Sequence, residues 1–177
     1  MTRSLRVAAL AALLALAGCA SPDVATYATE KPTLLPEQYF NGRVDAWGMF
    51  TDRSGKVVKR FVVTIDGRWS GDEGVLAEDF TYADGTKQQR TWRIRKLGDG
   101  RYVGRADDVV GDAQGEARGN ALHWTYTLAL PVDGRTWNVE MDDWMYLMDD
   151  HVLLNRTAMS KFGVRLGEVT ISFRKRP

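Results

Sequence analysis

An all-β domain is the fold class predicted for residues 37–177: an up-and-down antiparallel meander of about eight to ten strands that closes into a barrel. Three observations predict it. Gly or Asp-Gly turn signals recur about every ten residues, and the runs between them are rich in Val, Thr, Trp, Tyr and Phe. Almost every link is short enough for a hairpin, so strands that are neighbours in sequence should pair. A meander of that many strands hides its unpaired edges by closing on itself.

The chain begins with Arg3 and Arg6, an apolar run over 7–17, and Gly18-Cys19. That run is too short for a bilayer core needing about 20 helical residues, so residues 1–18 read as a signal peptide. "LAGC" (16–19) resembles the lipobox of bacterial lipoproteins, which implies cleavage before Cys19, its acylation, and, with Ala20 following, residence on the outer membrane facing the periplasm. Cys19 is the only cysteine. Once acylated it leaves no thiol for a disulfide, a metal or nucleophilic chemistry. Residues 20–36 hold three of the five prolines among small and polar residues. The stretch from Cys19 to residue 36 is read as a flexible tether, holding the domain within roughly 25 Å of the lipid.

"PEQYFNG" (36–42) is at most one helical turn. Strands follow near 43–52, 56–66, 74–82, 87–97, 101–109, 121–131, 135–148, 151–160 and 166–175. The Gly-rich "GDAQGEARGN" (111–120) lacks the strand, Gly-x-Gly-x-x-Gly and helix order of a phosphate cradle and reads as a loop with bulge glycines. Side chains alternate across a strand, which puts Leu122, Trp124, Tyr126, Leu128 and Leu130 on the inner face and His123 outside. Phe61, Val63 and Ile65 share an inner face, as do Val169, Ile171 and Phe173. In "QQRTWRIRKL" (88–97), Trp92 brings Arg90 inward with it. A buried arginine needs a carboxylate or an acidic ligand group.

"DDWMYLMDD" (142–150) places two acidic pairs around five apolar residues. Asp149-Asp150 is a hairpin tip. An unbroken strand carries Trp137, Val139, Met141 and Asp143 inward, toward Arg90; a bulge at the two aspartates would instead turn Trp144 and Tyr146 in. Adjacent residues of a strand point to opposite faces, so Asp142 and Asp143 do not act on one substrate together. The two histidines, His123 and His151, have no metal-binding spacing, and no metal or cofactor is expected. Charge is nearly balanced, and no polybasic stretch suggests a nucleic-acid partner.

The stretches "YFNGRVDAWGMFTDRSGKVVKRF" (39–61), "EDFTYADGTKQQRTWRI" (78–94), "VGRADDVVGDAQGEARGNALHWTY" (103–126), "DDWMYLMDD" (142–150) and "NRTAMSKFGVRLGEVTISFRK" (155–175) resemble the bacterial domain-of-unknown-function family 3833, small envelope lipoproteins. The resemblance covers nearly all of 37–175 and implies a lipocalin-like, calycin-type barrel with no assigned activity. "YFNGRVDAW" is similar to the Gly-x-Trp opening of lipocalins, although Gly42 and Trp47 are five positions apart, and "LLNR" is similar to their late arginine, here Arg156.

These readings give a membrane-anchored lipoprotein whose barrel binds a lipid or other small apolar ligand with an acidic head group. Trp92, Trp124, Tyr126 and Trp137 would line the wall, Arg90 or Arg156 would receive the acid, and Asp143 would pair with the idle arginine. The alternatives are a lipid isomerase or hydratase with Asp143 as base and Tyr146 or His151 as acid, and an interaction lipoprotein with a solid barrel.

Overall fold

In a computed structural model, which describes residues 22–177, ten antiparallel strands form one closed barrel. They are β1 (Gly42–Asp52), β2 (Val57–Ser70), β3 (Glu73–Tyr82), β4 (Lys87–Gly98), β5 (Arg101–Arg105), β6 (Val109–Arg118), β7 (Ala121–Val132), β8 (Arg135–Leu147), β9 (Val152–Lys161) and β10 (Val164–Lys175). Each pairs with its sequence neighbours, and β1 closes on β10. This is the lipocalin-like meander expected. The signal peptide (1–18) and Cys19 lie outside the described residues.

One strand was not foreseen. Most of the stretch 111–120, read as a loop, belongs to β6 (Val109–Arg118), with a shift in its pairing to β7 between Val110 and Gln114. Of its two glycines, Gly111 lies at that shift with φ +73°, and Gly115 is there for packing. A Cβ on Gly115 would stand 2.2 Å from the Trp124 ring, and one on Gly104 of β5 would stand 2.6 Å from it. The two glycines open a recess in the wall for the indole. Ala113, Gly115 and Ala117 are its buried small-residue face, alternating with Gln114, Glu116 and Arg118.

The tether reading is also corrected. Residues 22–36 are packed on the barrel, because their few apolar side chains find hydrophobic hollows there. Val24, in a 3₁₀ turn (Val24–Tyr27), packs with Ala121 and Trp144 on the outer wall. Tyr27 meets Trp144 and Tyr146 with ring centroids 6.0 and 5.3 Å away. Leu34 is only 1% exposed, and its N–H donates to the Gly119 carbonyl at 2.8 Å.

A single helical turn, α1 (Pro36–Tyr39), then closes one end. Tyr39 and Phe40 pack edge-to-face, Phe40 meets Phe173 at 5.9 Å, and the Tyr39 hydroxyl donates to the His151 carbonyl. Lys175 Nζ donates to the carbonyls of Gln38, Tyr39 and Asn41, capping the turn's orphan acceptors. Glu37 is held by Lys96 and the Tyr102 hydroxyl. Above this plug, Val44, Ile65, Leu76, Ile94, Leu122, Leu147 and Leu153 fill the closed half of the barrel.

The lipocalin-type closure by tryptophan and arginine is not how this end is sealed. Trp47 is half exposed on the outer face, and Arg156 pairs with Glu168 outside.

Two stability measurements check these assignments. Gly115→Ala should cost roughly 1–3 kcal/mol in urea unfolding, because the indole must move; no loss would mean the recess is not occupied. Leu34→Ala should cost about 2–5 kcal/mol as a buried truncation, whereas a free tether would leave the midpoint unchanged.

Candidate functional site

At mid-height the apolar interior gives way to charge. Glu78 on β3 lies opposite Arg90 on β4 in the ladder, and both point inward in phase with Leu76 and Trp92. Asp108, from the short β5–β6 turn, reaches down to the guanidinium. Its Oδ2 accepts from Arg90 Nε at 2.9 Å and from Nη2 at 2.6 Å, with side-chain exposures of 16% for the arginine and 26% for the aspartate. Arg90 also sits over the Phe80 ring at 5.7 Å. Across the barrel Asp143 of β8 lies between Trp124 and Thr157 in the register and is 6% exposed. The β7–β8 ladder runs through it without a shift, so the unbroken-strand reading holds and the bulge does not.

Trp92 meets Trp124 and Tyr126 edge-to-face at 5.7 and 5.4 Å, forming the aromatic wall between the two charged sides. Next to Asp143, Thr157 donates to Asn155 Oδ1 at 3.1 Å, and both side chains are buried.

Three carboxylates therefore share one guanidinium. Burial pushes the Glu78 carboxyl up to about 7; Arg90 opposes the rise, and Asp108 and Asp143 add to it. Burial likewise raises Asp143 to about 7 against the pull of Thr157, Arg90 and Asn155. Burial works against the Arg90 cation, yet Glu78, Tyr126 and Asp108 hold it charged. Tyr126 is raised well above the usual phenol range, by burial first and Asp143 second. One oxygen each of Asp108 and Asp143 is buried without a hydrogen-bond partner.

Beyond the cluster lies the end of the barrel opposite the α1 plug. Its wall is Leu128, Val139, Met141 and Met159 on one side, with half-buried Phe50, Leu130 and Val169 packed on them, and Phe61, Phe80 and Tyr82 on the other. Surface hollows of about 390 and 310 Å³ lie against Lys161–Phe162 and between Val57 and Asp84, and no residue of the cluster lines either.

The structure thus brings together Arg90, Trp92, Trp124, Tyr126 and Asp143 from the expected set. Trp137 is at the rim, 42% exposed, with Lys161 Nζ 4.9 Å above its ring. Arg156 is a correction: it follows the outward phase of Val152 and Leu154 and is no ligand contact. The acid–base set is corrected as well. Tyr146 lies on the opposite face of β8 from Asp143, beside Tyr27 and Trp144, and His151 is in the hairpin at the plugged end. On the outer wall His123 pairs with Asp142 at 2.7 Å and stacks on Trp144.

Glu78, Asp108, Asn155 and Thr157 were missed. The inward phase of Leu76, Glu78 and Phe80, and of Leu153, Asn155, Thr157 and Met159, carried three of them; Asp108, on a turn, had no periodic signal. Arg90, expected to await a ligand's acid, is already engaged by Asp108.

The raised carboxyls fix the sign of a pH dependence. Between their ordinary range near 4 and about 7 the folded state holds protons that the unfolded chain has lost, so stability falls as pH rises across that window. Asp143→Asn should flatten that slope in denaturation series from pH 4 to 8. An unchanged slope would show that Asp143 is not protonated on folding.

Among solved structures the chain is similar to an S-type phycobiliprotein lyase from Guillardia theta, with a TM-score of 0.59 and 6% identity over 81% of this chain and 94% of that one. It is also similar to a de novo designed fluorescence-activating β-barrel, with a TM-score of 0.43 and 13% identity over 79% and 96% of the two chains. At such identities the likeness is one of fold. No curated protein matches. Residues 13–175 match the family described as Protein of unknown function (DUF3833), and the chain belongs to that family.

Proposed function

We propose that this chain is an envelope lipoprotein, acylated at Cys19 and facing the periplasm from the outer membrane, whose barrel takes a small, largely apolar ligand through the end opposite the plug. The anchoring half of the reading rests on Arg3, Arg6, the apolar run and the "LAGC" segment. The binding half rests on one observation: Arg90, Glu78, Asp108 and Asp143 stand inside an otherwise apolar barrel, above a solid core and below an aromatic rim. A purely structural interior would be about as stable with apolar side chains, because desolvating charges offsets most of their mutual attraction. Charges kept at mid-barrel, with two acceptor oxygens unmatched, suit a guest that completes them. The likeness to the solved lyase supports the barrel fold on which this reading stands.

The packing of residues 22–36 shortens the span to the lipid. Only the few residues between Cys19 and Val24 would separate the acylated cysteine from the barrel wall, at most about 3.3–3.6 Å each. The barrel would sit against the bilayer rather than hang from it.

The test is mass spectrometry of the native protein extracted from membranes. The expected result is a mature N-terminus at an acylated Cys19 and a stoichiometric small molecule released on denaturation, with Cys19→Ser moving the protein out of the membrane fraction. An unmodified N-terminus would end the anchoring half, and a reproducibly empty barrel the binding half.

A further inference from the structure

The charge balance inside the barrel says which kind of polar group the guest carries. Glu78, Asp108 and Asp143 face one arginine, and the titratable neighbours Tyr126 and Tyr82 bring no positive charge. With all three carboxylates ionised the cluster carries an excess of two negative charges. Arg90 gives its Nε and Nη2 to Asp108, so that edge of the guanidinium is already taken, and an acid reaching the remaining Nη1 would add a fourth carboxylate to the same enclosure. The unmatched atoms are acceptors: Asp143 Oδ1, on a side chain more than nine-tenths buried and pointing inward, and Asp108 Oδ1 on the turn above. Acceptors without donors, in a region of surplus negative charge, call for N–H groups with a positive charge.

We infer that the barrel selects an amine-headed amphiphile: a primary ammonium or similar N–H cation that donates to Asp143 and Asp108, with its apolar tail along the Phe61–Phe80–Tyr82 and Met141–Met159 walls. This rests on the binding reading above and replaces the acidic head group expected from the sequence. The empty cluster keeps its balance by holding protons on Asp143 and Glu78. A bound ammonium takes over that role, and those protons leave to bulk water. Affinity for the amine therefore rises with pH through the neutral range, while affinity for an alcohol of equal chain length stays flat.

The experiment uses the full chain from Cys19, and the neutral hydrocarbon probe 1,6-diphenylhexatriene reports occupancy of the interior. Dodecylamine, dodecanol and dodecanoate compete for the probe below their micellar concentrations. The amine should displace it at about tenfold lower concentration than the alcohol, equivalent to about 1.4 kcal/mol, and dodecanoate should be weakest. The advantage of the amine should grow from pH 6 to pH 8, and Asp143→Asn should reduce the ratio of amine to alcohol competition toward one. If that variant fails to fold, the pH series on the unaltered protein decides in its place. Dodecanoate competing as well as or better than dodecylamine, or equal competition by all three, would overturn the amine assignment and leave the binding reading standing. A probe that never enters would overturn both.

Discussion

Pairing of β1 with β10 is the constraint on which the rest depends. Nine consecutive pairs, from Val44 opposite Lys175 to Asp52 opposite Gly167, close the sheet, so that no strand edge is left open and every second side chain is committed to an enclosed interior. Closure makes the interior's composition a strict matter. Below mid-height it is met by volume, with Leu, Ile and Val side chains packed on the α1 plug and Trp124 let into the Gly104–Gly115 recess. At mid-height it is met by charge, and there the match is incomplete.

That incompleteness separates this site from a structural ion pair. An arginine and one carboxylate would have sufficed to pin the register. A second and third carboxylate, two of them lifted to about 7 by burial, make a cluster that is balanced only with protons or with an added cation. The solid lower half and the charged middle are complementary: the plug covers one side of the cluster, and on the other side Asp108 sits on a turn with a quarter of its side chain exposed.

The outer wall carries a second division of labour. Val24 and Tyr27 cover Ala121, Trp144 and Tyr146, and His123 stacks on the same indole while pairing with Asp142. The acidic pair 142–143 is therefore split by the pleat: Asp142 belongs to the outer aromatic patch and Asp143 to the interior. Chemistry that needed both on one substrate, or Asp143 with Tyr146, is ruled out by the geometry of a single strand.

Turn chemistry and the two-residue period are local properties, and by themselves they determined the meander, the inward Arg90, Trp92, Trp124 and Tyr126, the hairpin at Asp149-Asp150, and the family resemblance. Strand β6 escaped because its inner face is Ala113, Gly115 and Ala117: small residues give no hydrophobic contrast, and their smallness makes sense only once Trp124 of the next strand is set against them. Residues 22–36 looked like a tether because Val24, Tyr27 and Leu34 are too sparse to form a period, yet each fills a hollow assembled from distant strands. Arg156 and Asp108 were decided in the same way. Whether an arginine on β9 points in or out depends on the register that closure imposes, and whether a turn aspartate reaches a guanidinium eighteen residues earlier in the chain depends on how three strands lie side by side. Such contacts are long-range, and no local pattern carries their distances.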